Sequence, residues 1–489
     1  MRLKPVPRHL AIGIDLGTSA VKLVALDAAG RIAGNGTAAF PTNSKLPGQA
    51  EQSPADWLTA LTAAALDLKR ELAESARASQ SDEFLAIGLA GQLPTLVCLG
   101  RDGPLGPAIT WKDARADGSA AQLVERAGRR HLYERSGMPI DGRYLGPMFR
   151  HHWYRRRGEV ETLLSAKDYI GYVLTGRRLT DPSTAAGYGS YDLEDGSFAA
   201  ALCELWELSP GMLPEVLPSS AVAGPLHAAG AALLGLDAGL PVTVGAADSV
   251  AGALALSGLK EGVAGIMTGS STIILDAVRG RHLDPSARYL LTPHVAEGWY
   301  GREMDLLATG TGYQWLSRLL RWLPGELDAR AARSVPGARG LVFAPYLAAG
   351  EQGALWNPAL RGLLQGLTLE HSVDDVARAF LEGVCFETRR CLEVLAESGV
   401  EQGIVAAGQM FVHGTNLQLL ADIVNRPVRV FTEATPAAVG AALGAWQAVG
   451  GGPERADSAL YNEPLPPGRA AHAYGALYDE YRGRAGRGA

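Results

Sequence analysis

Two short segments carry residues able to hold a phosphate chain, and a third carries an acid able to work beside them. In Asp15-Leu16-Gly17-Thr18-Ser19 a carboxylate ends an apolar run directly before a turn, whose glycine lets backbone N–H groups approach an anion closely. Thr268-Gly269-Ser270-Ser271-Thr272 repeats that turn with several hydroxyl donors. Facing one cleft, two such hairpins would hold a polyphosphate, with Asp15 reaching a metal ion. Asp248 ends the buried run Pro241 to Ala247 and precedes an Ala-rich helix. Taken singly, each turn reads as an ordinary β-hairpin and Asp248 as a helix cap. Recurrence of the turn at matched positions shifts that balance. If the turns hold a nucleotide, Asp248 stands between the halves and can accept the proton of a hydroxyl attacking the γ-phosphoryl group.

The elements that must position these residues run through the chain twice. Leu10 to Leu16, Val21 to Asp27 and a β-rich run to Phe40 read as three strands joined by two tight turns. Gly262 to Asp276 again reads strand, Gly-Ser turn, strand, which points to an internal duplication. Ala55 to Ser75 and Leu163 to Leu174 have helical apolar spacing, and Phe84 to Ala90 reads as a strand between them. In the second half Val373, Val376, Phe380, Val384, Cys391 and Leu395 predict a long helix stopping at Gly399. Strand Ile404 to Ala407, helix Asn416 to Val424 and strand Val428 to Phe431 follow. The order is mixed α/β, with a boundary near Ser257-Gly258 that divides the chain into 1–257 and 258–489. Arg484 to Ala489 is expected to fray.

Composition narrows the function classes. A length of 489 residues favours two or three domains. The net charge of −6 leaves no basic excess for a nucleic acid backbone or an anionic membrane surface, so neither partner is expected. With 47% hydrophobic and 20% charged residues the chain can bury a core rather than stay disordered. The four cysteines show no Cys-x-x-Cys spacing, which suggests neither a disulfide framework nor a thiolate zinc site and fits a reducing compartment. The apolar run after Met1 to His9 is too short for a signal peptide, and a cytoplasmic location is expected.

The order of the motifs resembles the FGGY carbohydrate kinases, within the superfamily that also holds actin and the heat-shock chaperone ATPases. Gly13-Ile-Asp-Leu-Gly-Thr-Ser19 and Met267-Thr-Gly-Ser-Ser271 resemble that family's phosphate hairpins. Glu51-Gln52-Ser53-Pro54 with Trp57, the run Ile87 to Gln92, and Trp111-Lys-Asp113-Ala-Arg115 are similar to its sugar-site segments. Lys167-Asp168-Tyr169 with Thr180-Asp181, the stretch Gly362 to Gly383, and Gly440 to Ala445 follow in the family's order, so the resemblance spans about residues 10–483. It implies a two-domain actin-like, ribonuclease-H-like fold with a duplicated βββαβαβα core and an active site in the interdomain cleft. By the same resemblance Asp248 is the catalytic base and Asp15 holds Mg2+. Thr18, Ser19, Gly269, Ser270 and Ser271 contact the phosphates of ATP, while Gly408 and Gln409 line the adenosine pocket. The substrate candidates are Trp57, Gln92, Thr95, Asp113 and Ser249. Packing for Trp57, and a loop ion pair for Asp113 with Arg115, stand as equal alternatives.

The chain departs from the xylulokinase pattern where substrate and nucleotide would lie. Gln92-Leu93-Pro94-Thr95 stands for Gln-Met-His-Gly, and Ser249 for the Asn after the catalytic acid. Gly350-Glu351-Gln352-Gly353 and Ala407-Gly408-Gln409-Met410 also differ from the usual loops. The expected activity is therefore ATP-dependent phosphorylation of a ketose, xylulose-like, or a related polyol. The rival is a catalytically impaired nucleotide-binding homologue acting as a binding or regulatory protein. A small-molecule sugar is the expected partner, and homodimer formation is left open.

Overall fold

The computed structural model describes residues 7–75, 81–348, 353–357, 359–398, 403–412, 414–433, 435–453 and 455–485, without the side chains of Gln409 and Val412. Gly350, Glu351 and Gln352, and the predicted stop at Gly399, lie outside the described residues.

Each half builds a sheet on the same plan. In the first, β1 (Arg8–Leu16), β2 (Ala20–Asp27) and β3 (Ile32–Ala39) run antiparallel, and β4 (Asp82–Gly91) joins β1 in parallel. Strand β5 (Pro241–Thr243) then pairs with β4 in parallel, and Val222–Pro225 closes that edge. In the second, β6 (Val263–Thr268), β7 (Thr272–Arg279) and β8 (Trp299–Leu306) run antiparallel. Strands β9 (Gly403–Ala407) and β10 (Val428–Val430) continue it in parallel from β6, and Leu290–Pro293 edges β8. Helices α1 (Pro54–Ser75), α2 (Ala166–Thr175) and α3 (Asp248–Ser257) serve the first half. The second has α4 (Val373–Ala396), α5 (Gln409–Val412), α6 (Gly414–Val424) and α7 (Pro436–Ala448). Taken without the short α5, the edge strands and the further elements inserted between them, these core elements follow the order βββαβαβα in both halves.

The central strands are apolar on both faces because both faces are covered. Leu10, Ile12, Ile14 and Leu16 pack under α1, while Ala11 faces Ala438 and Ala442 of α7. Helix α7 therefore crosses from the second half onto the first sheet. Its approach is closer than side chains allow: a Cβ on Gly13 would lie 1.8 Å from the Ala438 carbonyl oxygen, and one on Gly88 would lie 1.9 Å from that of Ala441. Helix α3 packs on α7 in the same way, with Gly440 facing the Ala251 carbonyl. The Ala/Gly-rich sequences of both helices are what permit this backbone contact, which sets the two halves side by side along one seam.

Of the segment Arg484 to Ala489, expected to fray, residues 486–489 lie outside the described residues, while Arg484 and Ala485 belong to a helix, Ala471–Ala485, whose Tyr474, Tyr478 and Tyr481 are buried and bond to Glu382, Glu393 and Glu387 on α4. Three buried aromatic anchors outweigh the polar tail in that turn.

Candidate active site

Both glycine turns close on themselves and open into one cleft. In the first, the Gly17 N–H donates to the Ala20 carbonyl at 3.1 Å; in the second, the Gly269 N–H donates to the Ser271 carbonyl at 2.8 Å. A cleft of about 180 Å³ lies between them, lined by Thr18 and Ser19 from one turn, Gly269, Ser270 and Ser271 from the other, and Gly408. Gly408 has φ +98, and a Cβ there would lie 2.0 Å from the Thr268 carbonyl oxygen, so only glycine fits against the second turn. Gln409 opens α5, and its side chain lies outside the described residues.

Asp15 and Lys22 also face this cleft. They sit directly opposite one another in the β1–β2 register, and Lys22 is a cation that sequence reasoning missed. The hairpin register was the available signal, because cross-strand neighbours share a face. Asp15 is buried, and its Oδ1 has no hydrogen-bond partner among the described residues. Burial raises its pKa, against the pull of Lys22.

Asp248 is the first residue of α3, and its Oδ1 accepts the Ser249 N–H at 2.9 Å. A buried network fixes the backbone that leads to it. Lys167 Nζ donates to Asp168 Oδ1 at 2.6 Å and to the Val244 carbonyl at 2.9 Å, and lies 3.2 Å from Asp181 Oδ1. Ser183 Oγ donates to Asp181 Oδ2 at 2.5 Å and accepts the Ala247 N–H at 2.9 Å. The Lys-Asp-Tyr and Thr-Asp segments thus hold the strand end that presents Asp248. Burial and the charge of Asp15 push the Asp248 carboxyl up to about 7; the Ser249 amide and Lys22 act against them, and Asp305 adds to them. At neutral pH such a group can both take up and release a proton.

On the other side of Asp248 and Ser249 lies a second cavity of about 110 Å³. Thr18, Trp111, Ser271 and Ile273 border both spaces. The second cavity is completed by Pro94, Met138, Arg143 and Tyr144 from the first half and by Glu303 and Asp305 from β8. Of these only Pro94 falls within a sugar-site segment read from the sequence. Glu303 and Asp305 are two apart on one strand and share a face, a pairing of acids in a buried strand that is the signal for them.

The predicted substrate residues are divided by the structure. Ser249 lines both spaces, and its Oγ donates to Glu303 Oε2 at 3.0 Å. Trp57, Gln92, Thr95 and Asp113 line neither. Trp57 is fully buried in the first core, with its Nε1–H on Gln52 Oε1 at 3.1 Å, and Gln92 Nε2 donates to the same oxygen at 2.8 Å. Thr95 is fully buried. Asp113 accepts the Ala50 N–H at 2.9 Å and pairs with Arg115, which also reaches Glu51. Burial works to raise the Asp113 carboxyl, but His152, Arg115 and the Ala50 amide together hold it below the ordinary range. Its lone pairs are spent on structure.

Two lobes of one topology, each lending a glycine turn to the cleft between them, define a two-domain α/β sugar-kinase fold. Residues 10–255 match the FGGY family of carbohydrate kinases, N-terminal domain, and residues 264–449 match its C-terminal domain. The chain belongs to this family and is a carbohydrate kinase. Kinases of the family use ATP as phosphate donor. The chain is 26% identical to xylulose kinase of Lactococcus lactis subsp. lactis over 436 residues, covering 87% of this chain and 85% of that one. It superposes on xylulose kinase from Rhodospirillum rubrum with a TM-score of 0.83 and 29% identity, covering 97% and 98% of the two chains. Gluconate kinase from Lactobacillus acidophilus gives 0.85 and 25%, covering 97% of each. No helix among the described residues is long and apolar enough to cross a membrane.

Proposed function

We propose that the chain transfers the γ-phosphoryl group of ATP to a hydroxyl of a ketose, xylulose-like, or of a related polyol, with Asp248 as general base. One observation carries this reading: Asp248 and Ser249 form part of the wall of both the phosphate cleft and the second cavity. A hydroxyl in that cavity meets Asp248 on the line towards the glycine turns, where a γ-phosphoryl group would lie. Asp248 takes the proton as the oxygen attacks, and Thr18, Ser19, Ser270 and Ser271 offer donors to the phosphate oxygens. Lys22 supplies a positive charge in the same cleft.

The residues also suit Mg2+. Asp15 presents a buried oxygen without a partner among the described residues, and its charge raises the proton affinity of Asp248, as one carboxylate does to a neighbour when no cation stands between them. Mg2+ takes one or two carboxylates and leaves its other positions to phosphate and water, so Asp15, with Asp248 beside it, would hold it. The ion would neutralise charge on the phosphates. The cavity volume of about 110 Å³ holds on the order of ten water-sized groups, the scale of a small sugar. We place the lobe boundary at Ser257-Gly258, between the end of α3 and the start of β6.

The test is ADP release from purified protein with MgATP across ketoses, polyols and sugar acids. Stimulation by a ketose or polyol supports the reading. Silence across the panel, with ATP bound, supports the binding-protein rival.

A further inference from the structure

The second cavity has an electrostatic character that the family alone does not assign. Among the described residues three acidic side chains, Asp248, Glu303 and Asp305, line it against one cationic side chain, Arg143. Arg143 is already engaged: its Nε lies 3.1 and 3.0 Å from the two oxygens of Asp141, and an Nη bonds the same carboxylate. Asp117 adds a further negative charge beside it. Glu303 is engaged as well, since its Oε2 accepts from Ser249 Oγ at 3.0 Å and from Thr292 Oγ1 at 3.4 Å. Asp305 differs, because its Oδ1 is buried without a hydrogen-bond partner among the described residues while the residue borders the cavity.

We infer that Asp305 accepts a hydrogen bond from a substrate hydroxyl and that the cavity selects uncharged polyhydroxy acceptors over sugar acids. A buried acceptor oxygen left unpaired is costly, and a hydroxyl donor removes that cost. A substrate carboxylate would bring a further acidic group to a site whose only lining cation among the described residues is held by Asp141, and whose burial already disfavours the charged forms of Asp248, Glu303 and Asp305. The apolar remainder of the wall, Leu93, Met138, Ile273, Leu290 and Leu307 among it, contacts a carbon skeleton and offers a carboxylate nothing. Burial pushes the Asp305 carboxyl up to about 7, partly offset by Arg143. The inference rests on the kinase reading and names the acceptor class of the same site. It separates this chain from a gluconate-type activity, which overall similarity does not.

The test compares wild type with Asp305→Asn, using xylulose and short polyols as neutral acceptors and gluconate as the acid. For wild type, kcat/KM on the best neutral acceptor exceeds that on gluconate by roughly a hundredfold or more. For Asp305→Asn, the acceptor KM rises about ten- to a hundredfold with a smaller change in kcat. Its KM for ATP stays within about twofold, and its margin against gluconate narrows as one acidic group is lost. Gluconate as the preferred wild-type acceptor overturns the inference and leaves the kinase reading standing, and this arm needs no variant. An unchanged acceptor KM in a folded, ATP-binding Asp305→Asn protein overturns it equally. Silence towards neutral and acidic acceptors alike removes both readings.

Discussion

The two spaces that meet at Asp248 are made in opposite ways. The phosphate cleft is backbone chemistry: two hairpin turns and one left-handed glycine, with Thr and Ser hydroxyls close to the chain. The acceptor cavity is side-chain chemistry, gathered from Pro94, Met138, Arg143 and Tyr144 on one lobe and Glu303 and Asp305 on the other. Backbone sites tolerate few changes of residue type, because a turn needs its glycine. Side-chain sites change with each substitution, which is how one fold accepts different sugars. The turns themselves also differ. The residue before each glycine turn pair is Asp15 in one lobe and Met267 in the other, and their cross-strand partners are Lys22 and Ile273. The first lobe carries charge to the cleft, and the second mainly carries shape.

The sharpest way to break this division is Asp248→Asn. Turnover is expected to fall about 10²–10⁴-fold while ATP binding, measured by calorimetry, stays near the wild-type value. Asp15→Asn comes next, with a loss of roughly ten- to a hundredfold through weaker ion binding. The same variant should lower the apo Asp248 pKa from about 7, since Asp15 helps raise it, and isotope-edited infrared titration reads that shift. Gly440→Val attacks the seam rather than the site: its side chain must displace the Ala251 carbonyl, costing about 1–3 kcal/mol or more in thermal or denaturant unfolding.

A smaller effect is the pH dependence of apo stability. Asp248 and Asp305 are pushed up to about 7, so the folded protein binds protons that the unfolded chain has released. Stability from these groups is fully present only below their unfolded value of about 3.9, is lost progressively as pH rises through the folded value of about 7, and is gone above it. His294, pushed down to about 4 by burial, acts in the other direction up to its unfolded value near 6.5. The melting temperature should therefore fall between about pH 5 and 7.5, because the two acids outweigh the one histidine, and level off above about 8, with a shallower slope in Asp305→Asn. The smallest effect belongs to Trp57→Phe, which loses one buried hydrogen bond yet should leave the acceptor KM within about twofold. A rise in that KM would redraw the cavity wall.

What was legible in the sequence follows the same division. Tight turns are written in a few adjacent residues, so Gly17, Gly269 and the acids Asp15 and Asp248 stand out, and the repeated strand and helix order exposes the duplication. Arg143 and Asp305 are 162 positions apart, and nothing local marks their meeting in one cavity. Trp57 and Asp113 show the converse: a motif names the residue, but only packing tells that one fills the core and the other braces Ala50 and Arg115. The exchange of α7 onto the first sheet was hidden for a similar reason. Gly13 and Gly88 in buried strands were its trace, and a small residue in a strand does not say which helix approaches it.

The central claim is that Asp248 removes the proton of the incoming hydroxyl. The direct measurement is kcat/KM for the acceptor against pH at saturating MgATP, in wild type and in Asp248→Asn. The account predicts an acid limb in wild type, where protonation of one group abolishes turnover, and a residual activity in the variant that lacks this limb. A variant that keeps wild-type turnover, or whose residual activity shows the same limb, would contradict it.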